Sequence, residues 1–204
     1  MFDRSFRSIG TAGIAALMLA TSPAALFAAT PADTLVIADA IDDIVSLDPH
    51  EAYEFSGLDV VNNTYDGLVE LDPAGAGMVP GLAESWSVSD DGLTFSFKMK
   101  SGVTFASGNP VRAEDAAYSL QRAVKLNKTP AFILNQFGWT IENVDSMITA
   151  DGDTVTVKVD KPYAPTFLYN CLTAGIASIV DKELIAANEV NGDMGYEWLK
   201  NNSA

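Results

Sequence analysis

Residues 84–99 read ESWSVSDDGLTFSFKM. Trp86 and Val88 alternate with polar neighbours, and Leu93, Phe95, Phe97 and Met99 alternate with Thr94, Ser96 and Lys98. A period of two puts the apolar residues on one face of a strand. Asp90-Asp91-Gly92 lies between the two runs, and glycine takes the positive φ that a tight connection needs. The stretch therefore predicts a hairpin of residues 84–89 and 93–99 with one buried face. A second hairpin is expected over residues 146–150 and 154–159, turning at Asp151-Gly152-Asp153, with Val155, Val157 and Val159 on one face.

Between the hairpins, residues 113–126 predict a helix whose buried stripe is Ala113, Ala116, Ala117, Leu120, Ala123 and Val124. Glu114 and Asp115 fall in its first turn, where the helix dipole favours negative charge. Upstream, residues 56–66 predict another helix with Leu58, Val61, Tyr65 and Leu68 on one face, Ser56 as N-cap and Asp59 as its capping-box partner. Residues 34–40, TLVIADA, predict a buried strand, and Pro49 holds Asp48 in a turn. Downstream, Pro162 and Pro165 open a short segment to Leu172, and residues 176–180 form a strand candidate. Asp181 caps a helix running to Ala187, and residues 196–200 begin one more. Mixed order of this kind is α+β, not a regular α/β alternation.

Composition narrows the function. Asp and Glu number 27 against 12 Lys and Arg, a net charge of −15, which disfavours binding to nucleic acid or anionic lipid. With one cysteine, Cys171, and one histidine, His50, the chain has no internal disulfide, cysteine zinc cage or two-histidine metal site. Residues 2–29 read as a secretory signal: Arg4 and Arg7 precede an apolar, glycine-containing run too short to span a bilayer comfortably, and small residues gather at Ala28 and Ala29, where cleavage is expected. An uncleaved membrane anchor is the rival reading.

No enzyme motif emerges. His50 sits in a proline turn far from Cys171, and neither a G-x-S-x-G elbow nor a P-loop occurs. Asp151-Gly152-Asp153 lacks the downstream ligands of a calcium loop, so a hairpin turn explains it. Trp86, Phe95 and Phe97 are core by default. Tyr53, Glu54 and Phe55 differ, because they sit in an irregular loop just ahead of a helix, where aromatic and charged side chains can line a cleft.

One ordered set of residues carries a family resemblance: Leu47-Asp48-Pro49-His50, Tyr65-Asp66-Gly67-Leu68-Val69, and Val79-Pro80-Gly81-Leu82-Ala83-Glu84-Ser85-Trp86. It continues through Asp91-Gly92-Leu93-Thr94-Phe95, Gly102-Val103-Thr104-Phe105, Gly108-Asn109-Pro110-Val111, Ala113-Glu114-Asp115, Tyr118-Ser119, Arg122 and Pro162-Tyr163-Ala164-Pro165. The chain resembles the family 5 extracellular solute-binding proteins, the periplasmic dipeptide- and oligopeptide-binding components of ABC importers. The resemblance implies the N-terminal part of a periplasmic-binding-protein type II fold: a signal peptide at 1–28, the start of lobe one at 29–70, an extra α+β subdomain at 71–180, and the truncated start of a return to lobe one at 181–204. It implies a periplasmic, monomeric protein without cofactor, whose partners are a small solute, foremost a peptide, and an inner-membrane permease. By register with relatives, Tyr53, Glu54, Phe55 and Ser56 are the ligand contacts. Some peptide-binding relatives have an acidic residue at the position of Tyr53, and the family includes binders of nickel complexes, sugars and opines. Relatives commonly have Thr at the position of Arg112, so the helix after Arg112 is expected to start less firmly. The alternative function is an exported protein-interaction module that binds no small ligand.

Overall fold

The computed structural model describes residues 30–204 except 39 and 76. The expected signal segment and its cleavage site lie outside the described residues. The fold divides between Asp39 and Ala40. In the first unit, residues 30–38 make a turn in which Thr34 N–H donates to the Pro31 carbonyl at 2.9 Å, and no strand follows. Leu35, Val36 and Ile37 are exposed, so the expectation of a buried strand at 34–40 is corrected. A strand is defined by its ladder, and none of the strand pairings among the described residues includes residues 34–38.

The second unit is built on a four-stranded antiparallel sheet. Its strands are β3 (Ala83–Val88), β4 (Thr94–Met99), β5 (Ile148–Asp151) and β6 (Thr154–Lys158), in the order β3-β4-β6-β5. Both expected hairpins are present, and the inner strand of each pairs with the other. Phe95 lies opposite Val157 and Phe97 opposite Val155, while Trp86 faces Phe97 and Val88 faces Phe95. Because directly opposed residues share a face, the alternation seen in each strand merges into one apolar surface. Gly92 takes φ +69°, and its N–H donates to the Ser89 carbonyl, closing the first turn. In the second hairpin, residues 146 and 147 belong to a helical turn, α4 (Val144–Met147). The strand therefore begins at Ile148, and Asp151 is its last paired residue.

The apolar face is covered by α2 (Ala113–Leu126) and α5 (Pro165–Leu172). All six residues of the expected α2 stripe are buried. Asn127 ends this helix in the left-handed conformation, with its N–H on the Ala123 carbonyl. Pro165 opens α5, where a missing N–H costs nothing. From α5, the Tyr169 ring stands edge-on to Trp86, Phe95 and Phe97, with centroids at 6.0, 5.8 and 6.2 Å.

At the start of α2, the Asp115 carboxylate accepts the Arg112 N–H at 2.8 Å, but the Arg112 guanidinium has no acceptor to return. The cap is half-made, as expected from Arg at this position.

The remaining elements are short. They are α1 (Phe55–Thr64), the two-stranded pair β1 (Val69–Leu71) and β2 (Met78–Pro80), α3 (Phe132–Asn135), α6 (Lys182–Ala187) and α7 (Tyr196–Leu199). Gly81, just after β2, lies so close to the Gly67 carbonyl that a Cβ there would collide with it. Asp181 caps α6 by accepting the Leu184 N–H at 3.0 Å, as expected. Residues 176–180 do not form the expected strand. A 3₁₀ turn covers Gly175–Ala177, and then Ile179 N–H reaches the Asp66 carbonyl while Val180 N–H reaches Ser119 Oγ, both at 2.9 Å. The run is buried, but its backbone is satisfied by single partners and not by a ladder.

Phe97→Ala removes a fully buried ring from the sheet face and should cost about 3–5 kcal/mol in urea unfolding. Arg112→Thr supplies the missing acceptor and should raise stability by about 0.5–1 kcal/mol in the same assay.

Candidate functional site

The loop that leads into α1 is folded around a buried polar anchor. Pro49 keeps Asp48 extended, so the chain turns there, and the Asp48 carbonyl accepts the N–H groups of Glu51 and Ala52 at 2.9 Å. The Asp48 side chain accepts the His50 N–H at 3.0 Å, and Ser46 Oγ accepts the Asp48 N–H at 3.1 Å. From the middle of α2, the Arg122 guanidinium grips this turn. Nη1 and Nη2 donate to the two Asp48 carboxylate oxygens at 2.9 and 2.7 Å, Nη1 also meets His50 Nδ1 at 2.8 Å, and Nε donates to the Met194 carbonyl at 2.8 Å. Asp48, His50 and Arg122 are all fully buried. A bidentate guanidinium–carboxylate pair with further acceptors on Nε and Nη1 is a form in which a buried ion pair is tolerated.

The chemistry of the partners fixes the tautomer. Arg122 only donates, so His50 Nδ1 accepts, and Nε2 carries the hydrogen that goes to the Ser178 carbonyl at 3.1 Å. Burial, joined by the nearby Arg122 cation, lowers the His50 pKa to about 4, against the opposing pull of Asp48 and Ser178. Burial alone would raise the Asp48 pKa, but the Arg122 hydrogen bonds and the surrounding positive charge hold it below the usual carboxylate value. Both groups therefore bind protons less readily in the folded chain than in the unfolded one. The stability that His50 contributes is complete above its ordinary pKa of 6.5 and is lost as pH falls toward about 4, with Asp48 acting in the same direction at lower pH.

A second tether follows at once. Glu51 Oε1 accepts the Tyr196 hydroxyl at 2.8 Å and lies 3.7 Å from Lys128 Nζ. Lys128 and Lys200 also lie over the Tyr196 ring, at 3.8 and 4.5 Å from its centroid. Ala52 is buried, and then the chain emerges.

The four expected ligand residues sit together on this emerging rim. Tyr53 is 45% exposed, its ring edge-on to Phe132 at 5.8 Å, and Phe55 is 94% exposed. Glu54, not Ser56, is the N-cap of α1, and its carboxylate is turned back to the Tyr53 N–H at 3.2 Å. Ser56 is already helical, and its hydroxyl donates to the Ala40 carbonyl at 3.1 Å. The expected Ser56–Asp59 capping box is thereby corrected: a cap residue must be extended, and the helix has begun by Phe55.

None of these four residues lines the cavity of about 670 Å³ found elsewhere in this unit. That cavity is walled mainly by apolar side chains, among them Val60, Tyr65, Leu82, Phe105 and Leu199. Near it, Asp181 Oδ2 accepts from Ser107 Oγ at 2.6 Å and from Asn109 Nδ2 at 2.9 Å, fastening the Gly108-Asn109-Pro110 turn to the start of α6. Among the described residues, no helix is long and apolar enough to cross a membrane.

Reading the sequence singled out the rim and passed over the anchor. A signal was available. Asp115, Ser119 and Arg122 recur at spacings of four and three on α2 beside its apolar stripe, so a polar line runs along a buried face.

Comparison with known proteins agrees with this architecture. Residues 77–200 match the family model described as bacterial extracellular solute-binding proteins, family 5, middle region. A probable D,D-dipeptide-binding periplasmic protein of Escherichia coli is 32% identical over 186 residues, which is 89% of this chain and 34% of that relative. The solved murein tripeptide binding protein of Escherichia coli superposes with a TM-score of 0.60 at 28% identity, covering 71% of this chain and 30% of that one. Haemophilus influenzae OppA shares the fold, with a TM-score of 0.63 at 24% identity over 76% of this chain and 31% of its own. The chain thus spans about a third of the length of the curated relatives it matches, from 29% to 34%.

Arg122→Met should destabilise the chain by about 3–5 kcal/mol in urea unfolding, because Asp48 is left charged and unpaired in the interior. Adding Asp48→Asn to that variant removes the stranded charge and should recover part of the loss.

Proposed function

The chain belongs to the bacterial extracellular solute-binding proteins of family 5, and on that premise we propose that it forms one wall of the capture cleft of a periplasmic solute-binding component of an ABC importer. The solute is a peptide or a similarly small polar molecule, with the contacts supplied by Tyr53, Glu54, Phe55 and Ser56. The supporting observation is the doubly tethered turn of residues 48–52. It is fixed from both sides, yet it delivers two aromatic side chains into solvent instead of into the core. Exposed aromatic rings cost solvation unless something covers them, and a rigid base keeps the ordering cost of binding low.

Residues 1–28 serve as an export signal, 29–70 as the start of the first lobe, 71–180 as the extra subdomain and 181–204 as the return toward the first lobe. The protein works as a monomer in the periplasm and delivers its solute to an inner-membrane permease. Capture proceeds without bond chemistry: solute enters an open cleft, a facing lobe closes on it, and the closed form is presented to the permease. His50 has no catalytic part, since both ring nitrogens are occupied within the anchor. The facing wall belongs to the portion of the relatives' length that this chain does not span.

A second reading, an exported interaction module that binds no small ligand, rests on the apolar cavity beside Phe105 and Leu199. Titration of the chain with a di- and tripeptide panel, followed by NMR, separates the two. The expected result is weak binding, with shifts at Tyr53, Phe55 and Ser56 that Tyr53→Ala reduces. Submicromolar affinity by calorimetry would contradict a one-walled site. Shifts confined to Leu82, Phe105 and Leu199 would favour the second reading.

A further inference from the structure

We propose that His50 is an acid-sensitive positioning residue: its uncharged imidazole completes the anchor, and protonation releases the turn of residues 48–52 from α2, and with it the rim of residues 53–56. The functional meaning of this release rests on the reading that the rim meets solute, but the release itself does not.

The ring has no free nitrogen. Nε2 donates to the Ser178 carbonyl, and Nδ1 faces an N–H of Arg122 at 2.8 Å. A proton added at Nδ1 would set donor against donor and cation against cation in a fully buried site. The pull of the charged and titratable groups around it falls short of this cost. Asp48, in the same turn, already has both carboxylate oxygens on Arg122. Tyr65 at the end of α1 and Tyr118 on α2 are partly buried phenols whose pKa values are raised by burial. Asp193 faces Arg122 but is held by the N–H groups of Val190, Gly195 and Glu197. Glu51 is engaged by Tyr196 and Lys128. The imidazolium is accommodated only by leaving, and the turn goes with it: the N–H groups of Glu51 and Ala52 bond the Asp48 carbonyl inside that turn, so once it is off α2 they are open to water and exchange. The four-stranded sheet has its own ladder and core, so it does not depend on this contact.

His50 is the only histidine in the chain, so one imidazole signal reports the switch without ambiguity. The experiment combines an NMR titration of that signal with amide hydrogen exchange, corrected for intrinsic rates, at pH values near 6.5 and near 4. The expected result is an imidazole that stays neutral until near pH 4, with Glu51 and Ala52 losing at least about tenfold more protection than Phe97 and Val155 over the same range. His50→Gln keeps one donor and one acceptor but gains no proton, so its loop protection should be flat with pH. The proposal is overturned by an imidazole titrating at its ordinary value, by loop and sheet losing protection together, or by equal acid loosening in His50→Gln. If that variant does not fold, the titration and exchange of the unaltered chain decide alone. Peptide-induced shifts that avoid Tyr53 and Phe55 would count against the cleft reading and leave the acid response standing.

Discussion

The guanidinium of Arg122 closed on the carboxylate of Asp48 is the constraint around which the N-terminal side of this unit is arranged. Neither charge reaches solvent, so each makes the other necessary. Their pairing draws in the His50 ring, the Met194 carbonyl and, through the ring, the Ser178 carbonyl. Four segments far apart in sequence thereby share one polar knot: the turn at Pro49, the middle of α2, the run after the 3₁₀ turn at Gly175–Ala177, and the loop at Met194. The apolar sheet supplies most of the burial. The knot determines where the loop before α1 lies on it.

The sheet and α2 were legible because their signals are periodic and local. Phe95, Phe97, Val155 and Val157 alternate without interruption, and Ala113 to Val124 recur at helical spacing. The misread segments were apolar runs without such a test. TLVIADA and residues 176–180 both look like buried strands, but a strand also needs a neighbour. Residues 34–38 of the first join no strand ladder among the described residues, and the second is taken up one hydrogen bond at a time by Asp66 and Ser119. The pair of β1 and β2 was missed because three residues are too few to display alternation.

The exposed rim of residues 53–56 was legible as an irregular stretch ahead of a helix, but its support was not. Tyr53 to Ser56 stood out as polar and aromatic residues ahead of a helix, and the structure gathers them on one rim. What holds the rim could not be read from neighbouring residues, since Asp48 and Arg122 are 74 positions apart. Composition made the difficulty greater. In a chain this acidic, one aspartate among 27 acidic residues carries no mark of being the buried one. His50, set in a proline turn far from Cys171, is structural, with both ring nitrogens bonded inside the knot.

The separation between Asp48 and Arg122 also bears on how the molecule assembles. Hairpins such as β3 with β4 close over a few residues, while the aspartate must wait for a helix that is made much later in synthesis. Val61 of α1, which is buried against the region of Gly175, likewise lacks its cover during that interval. Docking of this turn therefore waits on residues synthesised well after it.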